Sequence, residues 1–124
     1  MSHLDDSEVP DYAGALRLDG RGIVVIGAGQ GIGRQTSHAL AAAGAKVFCI
    51  DNDETRAAAV AKEVGGFHGV GDATSREDMQ RLFDEAYAAL GRVDGLADII
   101  GLPVYGPILD LSDADWDKQQ DLTL

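Results

Sequence analysis

The chain has 124 residues, of which 45% are hydrophobic and 25% are charged, as in an ordinary single globular domain. Its formal net charge is -11, with a sequence pI ≈ 4.4. A surface this acidic repels phosphate backbones and anionic lipid headgroups, so we expect neither nucleic-acid nor membrane binding.

The first 20 residues form an acidic segment without sustained hydrophobic periodicity. We predict that residues 1–20 are a mostly flexible lead-in with a turn near residues 16–18; a partner-docking tail is the alternative. The segment opens with neither a basic start nor an apolar core, so we expect no signal peptide. Cys49, the single cysteine, has no partner for an intramolecular disulfide and no metal-ligand spacing. We therefore expect a cytoplasmic protein without a metal site.

From residue 21 onward, buried strands and amphipathic helices alternate. Short apolar runs predict strands at 23–26 and 47–50 and, more weakly, at 67–71 and 93–100. Helical spacing and end signals predict helices at 32–43, 57–64, from 76 to about 90, and from about 113, the last two opened by capping boxes at Ser75 and Ser112. The third helix would bury Met79, Leu82, Phe83, Ala86 and Leu90. This order implies an α/β fold with parallel strands and helices on both faces.

The most informative segment is the glycine loop, residues 27–33, which lies between a predicted strand and a predicted helix. Glycine lets the chain reverse tightly and lets a pyrophosphate approach, while the helix N-terminus directs free amides at that anion. The spacing is G-x-x-x-G-x-G through Gly27, Gly31 and Gly33, with Ile32 where the common dinucleotide fingerprint has its third glycine. A glycine-rich turn without a ligand is the alternative.

That spacing resembles the short-chain dehydrogenase/reductase family, and the resemblance covers residues 21–124. It implies a Rossmann-like doubly wound parallel sheet of about four strands. The sheet would be incomplete on its C-terminal side, because the sequence stops where the family's second half begins. We therefore expect a fragment of a longer enzyme whose fourth strand has a bare edge.

Asp51, at the end of the second predicted strand, indicates which dinucleotide is bound. A carboxylate there can accept hydrogen bonds from both adenosine ribose hydroxyls. It also repels the 2′-phosphate of NADP, by about 4 kcal/mol at about 4 Å in an intermediate dielectric. Where NADP sites often carry a basic residue, this chain has Gln30 and Asn52, and we expect Arg34 to point away. We predict NAD rather than NADP; an acid that only caps the next helix is the alternative.

The resemblance assigns further residues. It gives Asp72 and Ala73 a contact with adenine, although an Asp at that place is by itself more often a turn residue. The family's Asn-Asn-Ala-Gly after the fourth strand is here Asp98-Ile99-Ile100-Gly101, so only Gly101 matches, and Asp98 would replace one amide as an acceptor. The predicted cofactor-binding set is Gly27, Gln30, Gly31, Ile32, Gly33, Asp51, Asn52, Asp72, Ala73, Asp98 and Gly101.

The family's catalytic residues, a Ser and a Tyr-x-x-x-Lys, are not found in the chain. None of Tyr12, Tyr87 and Tyr105 has a lysine four residues later. The family's proton-relay asparagine falls at Thr123, a doubtful match, and Trp116 is the better candidate for a core anchor. We therefore expect the chain to be inactive alone and to be homo-oligomeric at full length.

Two functions stay open at this point. The first is the NAD(H)-binding part of an oxidoreductase that transfers hydride between NAD and an alcohol or ketone; apolar residues in the 102–108 loop suggest a small, hydrophobic substrate. The second is a non-catalytic NAD-binding or redox-sensing module. A domain that keeps the fold without ligand binding is disfavoured by the glycine loop and Asp51.

Overall fold

The computed structural model describes residues 7–123, in which strands and helices alternate as predicted. The strands are β1 (Gly22–Ile26), β2 (Lys46–Asp51), β3 (Phe67–Val70) and β4 (Gly95–Asp98). The helices are α1 (Gly31–Ala42), α2 (Glu54–Val64), α3 (Arg76–Leu90) and α4 (Asp113–Thr123). Two short 3₁₀ turns lie at Gly14–Leu16 and Ile108–Asp110.

The four strands form one parallel sheet in the order β3-β2-β1-β4. The chain moves outward from β1 to β2 and β3, and then crosses back to place β4 on the other side of β1. The predicted α/β, Rossmann-like parallel sheet is confirmed. The fourth strand is shorter than predicted, four residues rather than the expected 93–100. Its outer edge has no partner strand within residues 7–123, which confirms the expected open sheet.

The two faces of the sheet carry two separate hydrophobic cores. Because successive side chains in a strand point to opposite faces, β1 and β2 contribute to both. The α3 side contains Val24, Ile26, Phe48, Ile50, Leu82, Ala86 and Leu90, with Met79 and Phe83 packed partly buried against them. The other side contains Val25, Ala28, Val47, Cys49, Val60 and Ala61. The predicted buried face of the third helix is therefore confirmed.

Both predicted capping residues occupy their N-caps. Ser75 Oγ accepts a hydrogen bond from the Asp78 amide at 3.2 Å, and Ser112 Oγ accepts one from the Asp115 amide at 3.1 Å. The return bond of a capping box is not made at Ser75, because the Ser75 amide donates to the Asp72 carbonyl at 3.0 Å. The Asp78 carboxylate accepts from the Asp72 amide at 2.9 Å. Asp78 thereby braces the loop between β3 and α3.

Near its end, the N-terminal segment is bonded to the C-terminal end of α1. The Leu18 amide donates to the Ala43 carbonyl at 2.8 Å, and Arg17 Nη1 donates to the Ala42 carbonyl at 3.2 Å. The 3₁₀ turn begins two residues before the predicted turn and overlaps it at Leu16. Residues 1–6 of the predicted lead-in lie outside the described residues, and its flexibility and its boundary at residue 20 stay predictions.

The last helix, α4, lies on the surface of the described structure and has no buried residue. Trp116 is 52% exposed, so the prediction that it anchors the core is wrong for residues 7–123. The helix is held to the preceding loop by a bond from the Val104 amide to Gln119 Oε1 at 3.1 Å. None of the helices within residues 7–123 has the length and apolar character needed to cross a bilayer.

Candidate functional site

A cleft of ≈ 960 Å³ lies at the carboxyl ends of the strands. Its walls come from the segments that follow β1, β2, β3 and β4, and α4 lies across from them. The cleft straddles the point where the strand order reverses on either side of β1, which is where open parallel sheets bind ligands. Its volume falls within the range of small-molecule and cofactor sites.

The glycine loop is shaped by backbone hydrogen bonds to β2. The amides of Gly27 and Ala28 both donate to the Ile50 carbonyl at 2.9 Å. Gly27 has φ +79° and Gly31 has φ +52°, a left-handed conformation that L side chains rarely adopt. A Cβ on Gly31 would meet no atom within 4 Å, so this glycine faces open space in the cleft.

Gly33 serves a different purpose, which is close packing of α1 against the loop. A Cβ on Gly33 would overlap the Gly27 carbonyl and lie 3.0 Å from Ala28 Cα. Ser37, which is fully buried one turn later, donates from its Oγ to the Gly33 carbonyl at 2.9 Å. The first turn of α1 is thus fixed directly beside the end of β1.

The N-terminus of α1 opens into the cleft. The N-cap residue, Gln30, is extended (φ -158°, ψ 171°) and makes no side-chain capping bond, and no acidic residue lies in the first turn. The first amides of a helix lack intrahelical partners and carry the positive end of its dipole, so they attract an anion. Arg34 points away as expected, because its Nε donates to Glu63 Oε2 at 2.8 Å.

Asp51, the last residue of β2, is buried with 8% exposure and joins the glycine loop to α2. Its Oδ2 accepts from the Gly29 amide at 2.8 Å, and its Oδ1 accepts from the Asp53 amide at 3.0 Å. Each carboxylate oxygen has a second lone pair, so Asp51 retains acceptor capacity toward the cleft that it lines. The alternative role considered for Asp51 was that of a cap for α2. Asp53 is the N-cap of that helix, and its side chain accepts from the Arg56 amide at 3.0 Å.

Arg56, on the first turn of α2, lines the cleft and was not expected from the sequence. Its Nε lies 3.2 Å from Asp53 Oδ2. The Arg56 amide, followed by the guanidinium charge, lowers the pKa of Asp53. A basic residue in the first turn of the helix that follows the strand was the available sequence signal; the prediction considered the glycine loop, the position directly after Asp51 and Arg34.

Asp72 and Ala73 line the cleft after β3. Asp72 Oδ1 accepts from the Thr74 amide at 2.8 Å and from the Thr74 hydroxyl at 2.7 Å, and these bonds, the hydroxyl first, lower the pKa of Asp72. The structure therefore shows the turn interaction that the sequence left open, while the predicted contact with adenine stays a prediction.

Two predicted residues lie apart from the rest. Asp98 does not line the cleft, and its carboxylate accepts from the Ile100 amide at 3.2 Å. Thr123 is exposed at the end of α4 and does not line the cleft, while Leu124 lies outside the described residues. The structure brings together the other predicted residues, Gly27, Gln30, Gly31, Ile32, Gly33, Asp51, Asn52, Asp72, Ala73 and Gly101. It adds residues that the sequence did not indicate, namely Arg56, Thr74, Ala114, Asp117, Lys118 and Asp121.

Comparison with known proteins gives one consistent result. Residues 21–124 match the family model described as short chain dehydrogenase. The chain is 36% identical over 121 residues to a reductase of Mycobacterium tuberculosis that acts on a hexahydroindene carboxyl-CoA, covering 92% of this chain and 46% of that protein. It is 36% identical over 105 residues to dehydrogenase/reductase SDR family member 6 of Xenopus laevis, covering 82% and 40%.

Among solved structures, the fold is similar to that of a 7α-hydroxysteroid dehydrogenase in complex with NADH and 7-oxo glycochenodeoxycholic acid. The TM-score is 0.83 with 34% sequence identity, covering 90% of this chain and 46% of that one. The chain spans about half the length of the relatives that it matches.

Proposed function

The chain belongs to the short-chain dehydrogenase family, and from this premise we propose that its cleft binds NAD(H) in preference to NADP(H). One observation carries the proposal: the open N-terminus of α1 and the carboxylate of Asp51 face the same cleft. The first is a site for a pyrophosphate, and the second is an acceptor for ribose hydroxyls. The residues present therefore fit a dinucleotide.

Different parts of the cleft would bind different parts of the dinucleotide. The amides at the start of α1 would bind the pyrophosphate, and Gly31 leaves the space for it to approach. Asp51 would accept hydrogen bonds from the adenosine ribose while its charge opposes a 2′-phosphate. Because Asp51 also holds the Gly29 amide, its position relative to the loop is fixed before any ligand binds.

The whole protein, we propose, is an oxidoreductase that acts on an alcohol or a ketone. The bound cofactor would accept or supply the hydride. Leu102 lines the cleft, and the exposed apolar side chains of Val104, Tyr105 and Ile108 follow it along the chain, which favours a hydrophobic substrate. The named ligands or substrates of two relatives are polycyclic. The cytoplasmic location and homo-oligomeric assembly stay predictions.

The second candidate is an NAD-binding or redox-sensing module without turnover. The two candidates share the cleft and differ only in chemistry. In the whole protein, binding of NADH together with oxidation of NADH by a ketone supports the first, and binding without oxidation supports the second.

Calorimetric titration with NADH and NADPH tests the binding proposal. We expect NADH to bind more tightly, and Asp51→Ala to weaken NADH binding by about tenfold or more, the size of one to two lost charged hydrogen bonds. Asp84→Ala is the matched control, because it removes an exposed acid of α3 that does not line the cleft. Tighter binding of NADPH than NADH, with no effect of Asp51→Ala, would overturn the NAD preference.

A further inference from the structure

Two cationic side chains line the cleft within residues 7–123, and they lie on different walls: Arg56 on α2 and Lys118 on α4. Arg56 lies close to Asp51. A Cβ built on Gly29 would lie 2.6 Å from Asp51 Oδ2 and 2.7 Å from Arg56 Cβ. The acid and the arginine therefore flank the same glycine of the loop, and both face the part of the cleft where a ribose would bind Asp51.

Asp53 holds Arg56 in two ways. Its Oδ1 accepts from the Arg56 amide, and its Oδ2 lies 3.2 Å from Arg56 Nε. Asp53 is the one carboxylate that pairs with this guanidinium in the described part of the chain. The pairing uses Nε and leaves the two Nη groups for another ligand. A guanidinium fork matches the geometry of a phosphate group and binds it through two parallel hydrogen bonds.

We propose that Arg56 is a specificity-determining residue that would bind the 2′-phosphate of a phosphorylated dinucleotide, and that Asp53 suppresses this binding by pairing with it. The inference rests on the proposed function, because it takes the adenosine end of the dinucleotide to lie beside Asp51 and α2. Discrimination against NADP then comes from two carboxylates: Asp51 repels the extra phosphate directly, and Asp53 neutralises the cation that would attract it.

The substitution Asp53→Asn separates these effects. Asparagine is as good an N-cap as aspartate, so the start of α2 is retained while the charge that pairs with Arg56 is lost. We expect NADPH to bind about threefold to fivefold more tightly, the size of the effect of one exposed ion pair, with NADH binding changed by less than about twofold. Adding Arg56→Gln to Asp53→Asn should remove the gain.

Two control variants distinguish the loss of the Asp53–Arg56 ion pair from a general change in net charge. Glu54→Gln removes the same unit of charge one residue away, and Arg34→Gln removes a nearby cation that pairs with Glu63 and points away from the cleft. Neither control should alter the ratio of NADH to NADPH affinity. The gain in Asp53→Asn should also shrink as salt is raised, because exposed charges are screened.

Calorimetric titration of the protein and its variants with NADH and NADPH gives the result. A gain for NADPH in Asp53→Asn that is absent from the double variant and from both controls supports the inference. If wild type binds NADH but Asp53→Asn leaves NADPH unchanged, or if the gain persists without Arg56, the inference is wrong and the proposed function stands. If wild type binds neither dinucleotide, both are overturned.

Discussion

Replacing Gly33 by alanine tests whether close packing of α1 on the glycine loop is what this residue provides. Glycine to alanine within a helix normally stabilises a protein by about 0.5–1 kcal/mol. Here the new methyl group would overlap the Gly27 carbonyl and lie 3.0 Å from Ala28 Cα, and both are backbone atoms that cannot rotate away. The helix must therefore move away from the end of β1.

The expected loss of stability in Gly33→Ala comes from overpacking. Inserting a methyl group into a well-packed site costs typically about 1–3 kcal/mol, and a backbone neighbour places Gly33→Ala at the upper end. After the helix-propensity gain is subtracted, we expect a net loss of about 2 kcal/mol. In a domain of this size that corresponds to a fall in melting temperature of about 8 °C. Thermal unfolding followed by circular dichroism measures it.

Gly31→Ala is the matched comparison, because the same methyl group is added to the same loop with a different physical consequence. Its methyl meets no atom within 4 Å, so the cost in stability is the left-handed conformation alone, about 1–2 kcal/mol. The methyl would, however, occupy the space through which a pyrophosphate approaches. We expect Gly31→Ala to lose NADH binding with the smaller fall in melting temperature. A Gly33→Ala variant within about 2 °C of wild type would refute the packing argument.

Three further substitutions have expected outcomes. Leu82→Ala removes a fully buried side chain from the α3 core, and we expect the free energy of unfolding to fall by about 2–5 kcal/mol in a urea titration. Arg92, followed by the Gly22 amide, lowers the pKa of Asp94 from 3.8 to about 2, so ionised Asp94 stabilises the fold above pH 3.8 and this stability is lost as the pH falls toward 2. Asp94→Asn should therefore lower the urea midpoint at neutral pH, and a difference from wild type that does not narrow at about pH 3 contradicts this. Asp51→Asn should lose about 1–3 kcal/mol without any ligand, because the Gly29 and Asp53 amides bind different oxygens of Asp51 and asparagine replaces one of them by an NH2 group, which cannot accept; a melting temperature equal to that of wild type counts against it.

Most of the sheet was predictable from the sequence because β1 and β2 are buried on both faces and their apolar runs are continuous. The ends of helices were predictable where a single residue decides them, such as Ser75 at the start of α3 and Gly65, with φ +64°, after α2. The fourth strand was predicted too long. Within residues 7–123, β4 pairs with β1 alone, and the last bond of this ladder runs from the Ile99 amide to the Ile26 carbonyl at 3.0 Å. Ile99 and Ile100 follow the strand and line the cleft.

The candidate site was predictable where the backbone dictates residue type and not where side chains from distant segments meet. The glycine loop and Asp51 follow from the strand-turn-helix pattern. Arg56 does not, because its place depends on how α2 starts after Asp53, and the cleft residues of α4 depend on a helix far along the chain. Asp98 lies outside the residues that line the cleft, where its carboxylate accepts from the Ile100 amide, and its contact with the cofactor stays a prediction.

The double role of Asp51 limits how the cofactor preference of this cleft can change. Its two oxygens hold the Gly29 and Asp53 amides, so a substitution that removes the charge also loosens the glycine loop and the start of α2. Any gain for a 2′-phosphate at this position is therefore offset by damage to the site that binds the rest of the dinucleotide. Asp53 has no bond to the glycine loop, and asparagine can replace it as the N-cap of α2. A change of preference that leaves the loop intact should therefore begin at Asp53 and Arg56, with Asp51 altered only after them.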